Sequence, residues 1–484
     1  MDRTYCNPIP LPDYPRGRFS IPDDITHGWL NGGQRHDFRE TADPSVLYHD
    51  GKWYLYPSCG MAWVSEDFVS WKHEPMNVYD IGYAPTIMAH EDAFYLTASD
   101  APLYRADSPL GPWEEVGMFA CPDGSRLPIY ADLMCFSDDD GRVYLYWGLG
   151  SPGIFGVELD GHQLNRAITE PKVLFAYDPD HTWERCGPFN EDPANSFVEG
   201  PWMLKHKGIY YLTYTGPGTS FQTYAMGVYT SMAPLGPFEY AERNPFLLKT
   251  SGLVRGSGHG CIVQGPRDTL WTFYTMTVCY HHIFERRIGF DPVGVDDDGN
   301  LYASATETPQ LAPGIADQPE LCNDAGLLPV SVSKFASASS QAPGRAPLYA
   351  TDNYMCSWWQ AADDDENPWL EVDLRSEFTI SSLRLMWAEP NLDYNNGVVP
   401  GPYRYQVETR HGEDPWQVTV DRSDNDEDML IEYITFPSCK ATHARLIVSD
   451  WPTGMQVAVV DFSLFGSGSY PPPGKYGVWP PVDE

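Results

Sequence analysis

The chain has 484 residues, with 67 acidic against 31 basic side chains and a formal net charge of −36. That balance repels nucleic acid and anionic membrane surfaces, so neither is expected as a partner, whereas a neutral sugar polymer is compatible with it. The length exceeds one typical core and predicts two domains, and 42% hydrophobic with 20% charged residues is a globular composition. Aromatics reach 14%, with 16 Trp and 30 Tyr, which suits β-strands and also the stacking of flat rings on sugar faces. No window approaches the roughly 20 apolar residues of a membrane helix, and the N-terminus lacks an apolar signal core. A cytoplasmic location is therefore favoured, with secretion after removal of a leader as the alternative. Ten cysteines at irregular spacing, without a Cys-x-x-Cys pair, read as scattered thiols rather than a zinc site or a disulfide framework.

Residues 1–40 are rich in Pro, Gly and Arg and predict an arm crossing the surface. A recurring segment then begins at Asp43: Asp-Pro-Ser-Val-Leu-Tyr-His-Asp-Gly-Lys-Trp-Tyr-Leu-Tyr. It returns from Asp132 and from Glu199, each time as a short apolar strand, a turn with Gly and an aromatic alternating strand. That is the pattern of a β-hairpin. Further units start near Ala84-Pro85 and at Gly258-His259-Gly260. Pro-Leu-Gly-Pro-Trp-Glu (109–114) recurs as Pro-Leu-Gly-Pro-Phe-Glu (234–239), a repeated turn at the end of two units. Five such units predict a five-bladed β-propeller over 41–312, whose first strands surround one axis. Residues 313–332 read as a linker. Short alternating strands without helical period over 333–466 predict a β-sandwich of jelly-roll type, and 467–484 form a Pro-rich tail. The fold class is all-β throughout.

Asp43, Asp132 and Glu199 open their units at corresponding places, so three carboxylates are expected to converge on the axis. Convergent carboxylates are what glycoside hydrolysis needs. Residues 40–312 resemble glycoside hydrolase family 43, on Ala-Asp-Pro-Ser-Val (42–46), Tyr-Ala-Asp-Leu (130–133), Val-Glu-Gly-Pro-Trp (198–202) and Gly-Ser-Gly-His-Gly (256–260), with Glu-Arg-Arg-Ile-Gly-Phe-Asp-Pro (285–292) in support. Residues 333–466 resemble a discoidin-type (coagulation factor 5/8 C-type) galactose-binding-like domain, on Ala-Thr-Asp-Asn-Tyr (350–354), Ser-Trp-Trp-Gln (357–360) and Trp-Leu-Glu-Val-Asp-Leu (369–374).

The first resemblance implies an inverting reaction. Asp43 is the expected general base, Glu199 the general acid, and Asp132 the group that raises the acid's pKa and orients it, since one negative charge disfavours another nearby. His259 occupies the same slot in the fifth unit, where the resemblance implies a calcium ion held largely through water; no cofactor is needed for the chemistry itself. Arg287 is expected to offer its guanidinium to substrate or carboxylates, with Arg286 facing the other way. Trp63, Trp147, Phe221, His281 and His282 are the expected pocket lining. Long segments between Gly148 and Asn195, and between Thr215 and Ala225, favour a walled pocket and exo action on a terminal sugar. The expected activity is an α-L-arabinofuranosidase, with β-D-galactofuranosidase or β-D-xylosidase as alternatives and a non-catalytic carbohydrate-binding protein as a further one. An Asp at position 43 argues against the galactanase branch, and Thr41-Ala42 before Asp43-Pro44 argues against the retaining clan that attacks sucrose and fructans. The pair Trp358-Trp359 is expected to fill the sandwich core.

Overall fold

The computed structural model describes residues 3–16 and 38–469, apart from 59–60, 79–80, 100, 130, 151, 195, 279–280, 283 and 314–322. The chain divides into two compact units, Met1–Ala325 with Leu392–Tyr394, and Gly326–Asn391 with Asn395–Glu484.

Among the described residues, the first unit contains five antiparallel sheets in which each strand pairs with the next in the chain. Blade one comprises Ser45–His49, Lys52–Tyr56, Ala62–Ser65 and Lys72–Glu74. Blade two comprises Thr86–His90, Ala93–Thr97, Leu103–Ala106 and Glu114–Gly117. Blade three comprises Met134–Ser137, Val143–Trp147, Ile154–Asp160 and Gln163–Ala167, with Lys172–Phe175 added to its third strand. Blade four comprises Glu199–His206, Ile209–Gly216, Ala225–Ser231 and Glu239–Tyr240, again with an extra strand, Leu247–Leu248. Blade five comprises Gly258–Gln264, Leu270–Thr277, Arg286–Val295 and Leu301–Ala303. This is a five-bladed propeller.

Both faces of a blade pack on neighbours, so its strands are apolar beyond simple alternation. Tyr56, Ile87, Leu96 and Trp113 join blades one and two, while Met88, Leu133, Leu145, Trp147 and Val157 join blades two and three. The repeated Pro-Leu-Gly-Pro turn acts as a latch: Tyr56 Oη donates to Pro109 O, and Tyr146 Oη donates to Pro234 O at 2.8 Å.

The N-terminal segment is not a surface arm where it is described. Thr4–Tyr5 pairs with Gln310–Leu311, Tyr5 stacks on Phe290 with ring centroids 4.0 Å apart, and Ile9 N–H bonds Ile288 O at 3.0 Å. Asn7 is fully buried against Phe290 O and Asp291. The segment therefore covers the part of Arg286–Val295 that precedes its pairing with Leu301–Ala303. Residues 17–37 of the expected arm lie outside the described residues.

The second unit is a β-sandwich region, with no α-helix among the described residues. Its sheet is built on Trp369–Trp387, which pairs with Ile431–Asp450 on one side and Ala458–Ser467 on the other. Leu370, Val372 and Leu374 alternate inward along the first of these. The sheet begins earlier than the expected linker end, because Leu328–Pro329 pairs with Phe465 and Gly466. Trp359 is fully buried with its indole N–H on Ser340 O, and Trp358 lies under the Arg345 guanidinium, 3.3 Å from the ring centre. Residues 470–484 of the expected tail lie outside the described residues. Among the described residues no helix is long and apolar enough to cross a membrane.

Candidate active site

Each blade enters its first strand through a residue with left-handed backbone. These are Asp43 (φ 48°), Ala84 (φ 48°), Asp132 (φ 56°), Gly200 (φ 62°) and His259 (φ 32°). A left-handed residue costs about 1–3 kcal/mol unless it is glycine, and it persists where surrounding contacts over-determine it. Here the turn aims three polar side chains at the axis. In blade four the slot belongs to Gly200, so Glu199 is displaced by one residue from the place the repeat predicts. Gly200 is required there, because a Cβ would lie 2.9 Å from the His259 ring. The displacement gives Glu199 a backbone position that neither Asp shares: it bridges Leu149 on one side and Thr215 on the other.

Asp43 is buried. Its Oδ1 accepts from Arg286 Nη1 at 3.0 Å and lies 3.3 Å from His259 Nδ1, while its Oδ2 accepts from Ser58 Oγ at 2.7 Å. Its own N–H is bonded to Thr275 Oγ1 at 2.8 Å. Burial alone would raise its pKa, but the Arg286 guanidinium, then His259 and the Ser58 and Thr275 hydroxyls, outweigh burial and hold it below the usual value. Glu199 is the opposite case. Burial, then the nearby Asp132 charge, push it well above the ordinary glutamate value, and the bond from Tyr224 Oη to Glu199 Oε1 at 2.6 Å is too little to reverse that. Asp132 lies between them in character: burial raises it, and His259 at 3.9 Å offsets only part. It accepts from Gly200 N–H at 3.2 Å and from Ser99 Oγ at 3.3 Å.

Of the two arginines, Arg286 reaches the carboxylates, and the expectation for Arg287 is corrected. Strand register explains why. Thr277 stands opposite Arg286, and Thr275, two residues away on the same face, touches Asp43; Arg287 pairs with Met276 on the other face. Arg287 is buried against Glu285 Oε1 at 3.0 Å and the carbonyl of Arg39 at 2.8 Å, a structural brace for the incoming chain. Arg286 also donates to Glu40, whose carboxyl burial lifts to about 7 despite that guanidinium. One guanidinium thus serves two carboxylates, and the ionised one is Asp43.

Trp63 and Trp147 are also corrected. Both are fully buried between strands, with indole N–H groups on Pro12 O at 2.8 Å and Pro128 O at 3.2 Å. Trp147 points into the packing between blades two and three, and Trp63 points to the N-terminal segment at Pro12. Phe221 is half-buried, and its carbonyl accepts the Tyr224 N–H at 3.1 Å, so its turn helps to set the tyrosine that reaches Glu199. His282 stacks on Phe38 with centroids 4.6 Å apart and lies 5.8 Å from the Phe284 ring, whose face in turn meets the Arg286 guanidinium at 5.4 Å. His281 is turned to Glu285 at 3.1 Å. Glu40, Ser58, Tyr83, Tyr224, Thr275 and Arg286 were missed as site residues; only the hydroxyls at corresponding strand ends left a trace in the repeat.

Calcium takes six to eight oxygen ligands. His259 instead turns Nδ1 towards Asp43, and among the described residues no group of three or more His, Cys, Asp or Glu side chains is arranged to hold an ion. The side chains do not make a calcium cage, and no chemistry below runs through one. Asp43, Asp132 and His259, with Pro44, Pro85, Leu133, Pro201 and Trp202, line a small axial pocket.

A five-bladed propeller that brings together one carboxyl drawn below its ordinary pKa and another pushed above it has the two-carboxylate arrangement that glycoside hydrolysis uses. Residues 39–301 match the sequence pattern of glycosyl hydrolases family 43, and residues 349–446 match the NedA-like, galactose-binding domain. The chain belongs to glycosyl hydrolases family 43, an inverting family. It is 25% identical over 268 residues to the β-D-galactofuranosidase xynD of Aspergillus niger, covering 48% of this chain and 73% of that protein. It is 30% identical over 179 residues to an arabinoxylan arabinofuranohydrolase of Bacillus subtilis, covering 33% of each. A solved thermostable family-43 glycoside hydrolase aligns at 22% identity over 65% of this chain and 100% of its own, with a TM-score of 0.49.

Proposed function

We propose that the protein removes terminal furanosyl or xylosyl residues from oligo- or polysaccharides by inversion, with α-L-arabinofuranosides as the favoured substrates and β-D-galactofuranosides or β-D-xylosides next. The observation that carries the mechanism is the opposite treatment of two carboxyls, Asp43 buried and Glu199 half-buried: among the described residues Asp43 receives Arg286 and Ser58, and Glu199 receives Tyr224. Asp43 is the general base that takes a proton from water as the water attacks the anomeric carbon. Glu199 is the general acid that donates to the leaving oxygen; Tyr224 occupies Oε1, so the proton sits on Oε2. Asp132 keeps that proton in place by its charge and is tied to the adjoining backbone at Gly200. Arg286 orients Asp43 through Nη1 at 3.0 Å.

Exo action is supported by the walls beside Glu199. The 182–197 and 217–224 segments are cross-linked there: Phe197 N–H bonds Pro217 O at 3.0 Å and Thr223 Oγ1 bonds Gly187 O at 3.2 Å. The names of the relatives support a furanoside or xyloside. The test is nitrophenol release from α-L-arabinofuranoside, β-D-galactofuranoside, β-D-xyloside and α-L-arabinopyranoside. Turnover of a furanoside that Asp43→Asn abolishes is expected. Turnover confined to the α-L-arabinopyranoside, or insensitive to that change, would sink the reading.

A further inference from the structure

A small residue stands at or near the end of the second strand of every blade, four residues beyond Tyr54, Tyr95, Tyr144, Tyr211 or Trp271. In four blades it carries a hydroxyl, and each hydroxyl accepts the N–H of the left-handed residue that opens the next blade. Ser58 accepts from Ala84 at 3.0 Å and Ser99 from Asp132 at 2.9 Å. Thr215 accepts from His259 at 2.7 Å, and Thr275 closes the circle by accepting from Asp43 at 2.8 Å. The exception is blade three, where the residue is Gly148. A Cβ there would lie 2.3 Å from Gly153 O, so no side chain fits, and the N–H of Gly200 goes instead to Asp132 Oδ2.

A hydroxyl has one proton, so once its oxygen has accepted an N–H its remaining direction is set by where that proton goes. The two threonines give theirs mainly to backbone: Thr275 to His259 O at 3.0 Å, with Asp43 Oδ1 further off at 3.5 Å, and Thr215 to Ala225 O at 2.8 Å. The two serines give theirs to carboxylates: Ser58 to Asp43 Oδ2 at 2.7 Å, Ser99 to Asp132 Oδ1 at 3.3 Å. For Asp43 the contact has no substitute. Arg286, His259 and Thr275 all address Oδ1, and among the described residues Ser58 alone addresses Oδ2. The terminal torsion of an aspartate is broad and roughly two-fold, so a carboxylate held at one oxygen can still swing.

We propose that Ser58 is the positioning residue of Asp43: its hydroxyl, locked in direction by the Ala84 N–H, pins the second carboxylate oxygen and so fixes the lone pair that faces the attacking water. The proposal rests on Asp43 being the base. Ser58 acts through Asp43 and touches no substrate.

The test compares Ser58→Ala, Ser58→Thr and Thr215→Val in the full chain, on the glycoside that the panel identifies. Ser58→Ala is expected to lower kcat roughly tenfold with KM changed less than about twofold, and to move the acid limb of the pH profile upward. Ser58→Thr restores the hydroxyl and most of the rate. Thr215→Val removes a member of the same ring that donates only to backbone, so it lowers Tm and leaves the acid limb where it was. An acid limb unmoved by Ser58→Ala, or moved as far by Thr215→Val, overturns the proposal. Turnover indifferent to Asp43→Asn sinks the role of Asp43 itself. Turnover abolished by Asp43→Asn, with the limb unmoved in Ser58→Ala, sinks the role of Ser58 alone.

Discussion

Asp43 and Glu199 open blades one and four of the same ring, Asp43 buried and Glu199 half-buried. Around Asp43 stand a guanidinium, an imidazole and two hydroxyls; around Glu199 stand one phenol and, nearby, the carboxylate of Asp132. Burial works in the same direction on both, so it cannot explain why one carboxyl is ionised and the other holds its proton. The difference comes from partners, and the partners come from backbone placement. Asp43 occupies the left-handed slot, where the neighbouring blade's strand end and the arginine strand converge. Glu199 sits one residue ahead of that slot and escapes both.

The largest test of this contrast is to neutralise each side. Asp43→Asn is expected to cost about a thousandfold in kcat/KM on every substrate, because no leaving group relieves the need for a base. Glu199→Gln should cost roughly a hundredfold or more on alkyl glycosides and far less on nitrophenyl glycosides, which leave without a proton. A leaving-group series separates the two, and equal losses in both variants would reverse or dissolve the assignment.

Arg286→Lys and Arg287→Lys come next. Lysine keeps the charge but not the fork that spans Glu40 and Asp43, so Arg286→Lys should lower kcat about tenfold to a hundredfold. Arg287→Lys, on the other face, should lower Tm and leave kcat/KM within about twofold. The reverse ranking would restore the pocket role first expected for Arg287.

Tyr224→Phe probes the acid alone. The phenol stabilises ionised Glu199, so its loss raises the Glu199 pKa further, moves the basic limb of kcat/KM upward and costs about threefold to tenfold at neutral pH. In the native protein the two limbs flank an ordinary carboxylate: the acid limb, from Asp43, lies below the usual aspartate value, and the basic limb, from the interacting Glu199 and Asp132, lies above the usual glutamate value. Stability carries the same signs. Asp43 contributes stability above its ordinary pKa, lost as pH falls through the lowered one; Glu199 contributes at low pH and loses it as pH rises through the elevated one. A basic limb that Tyr224→Phe moves downward would show that the phenol favours the protonated acid.

The smallest effect on catalysis is expected at Trp147. Trp147→Phe should cost roughly 1–3 kcal/mol of stability with KM unchanged, because the indole packs between blades two and three. A raised KM with unchanged Tm would return it to the pocket.

Much was legible from the chain alone. Repeated hairpins with a shared turn imply a propeller, because a unit that cannot bury both faces by itself must stack on copies of itself around an axis. The carboxylates at the unit starts follow from the same repeat, and so does the all-β second unit, from its alternation. Tertiary structure decided parity and offset. Whether Arg286 or Arg287 faces the axis depends on a strand register that pairs Thr277 with Arg286, and a one-residue change in that register exchanges the two. Whether Trp63 and Trp147 line a pocket or are packed away from it depends on the same alternation. The position of Glu199 depends on Gly200 taking the left-handed turn beside the His259 ring. A periodic pattern determines which residues belong to a strand and how often the strand recurs. It leaves open which face meets which neighbour, because that is settled by packing between segments far apart in the chain.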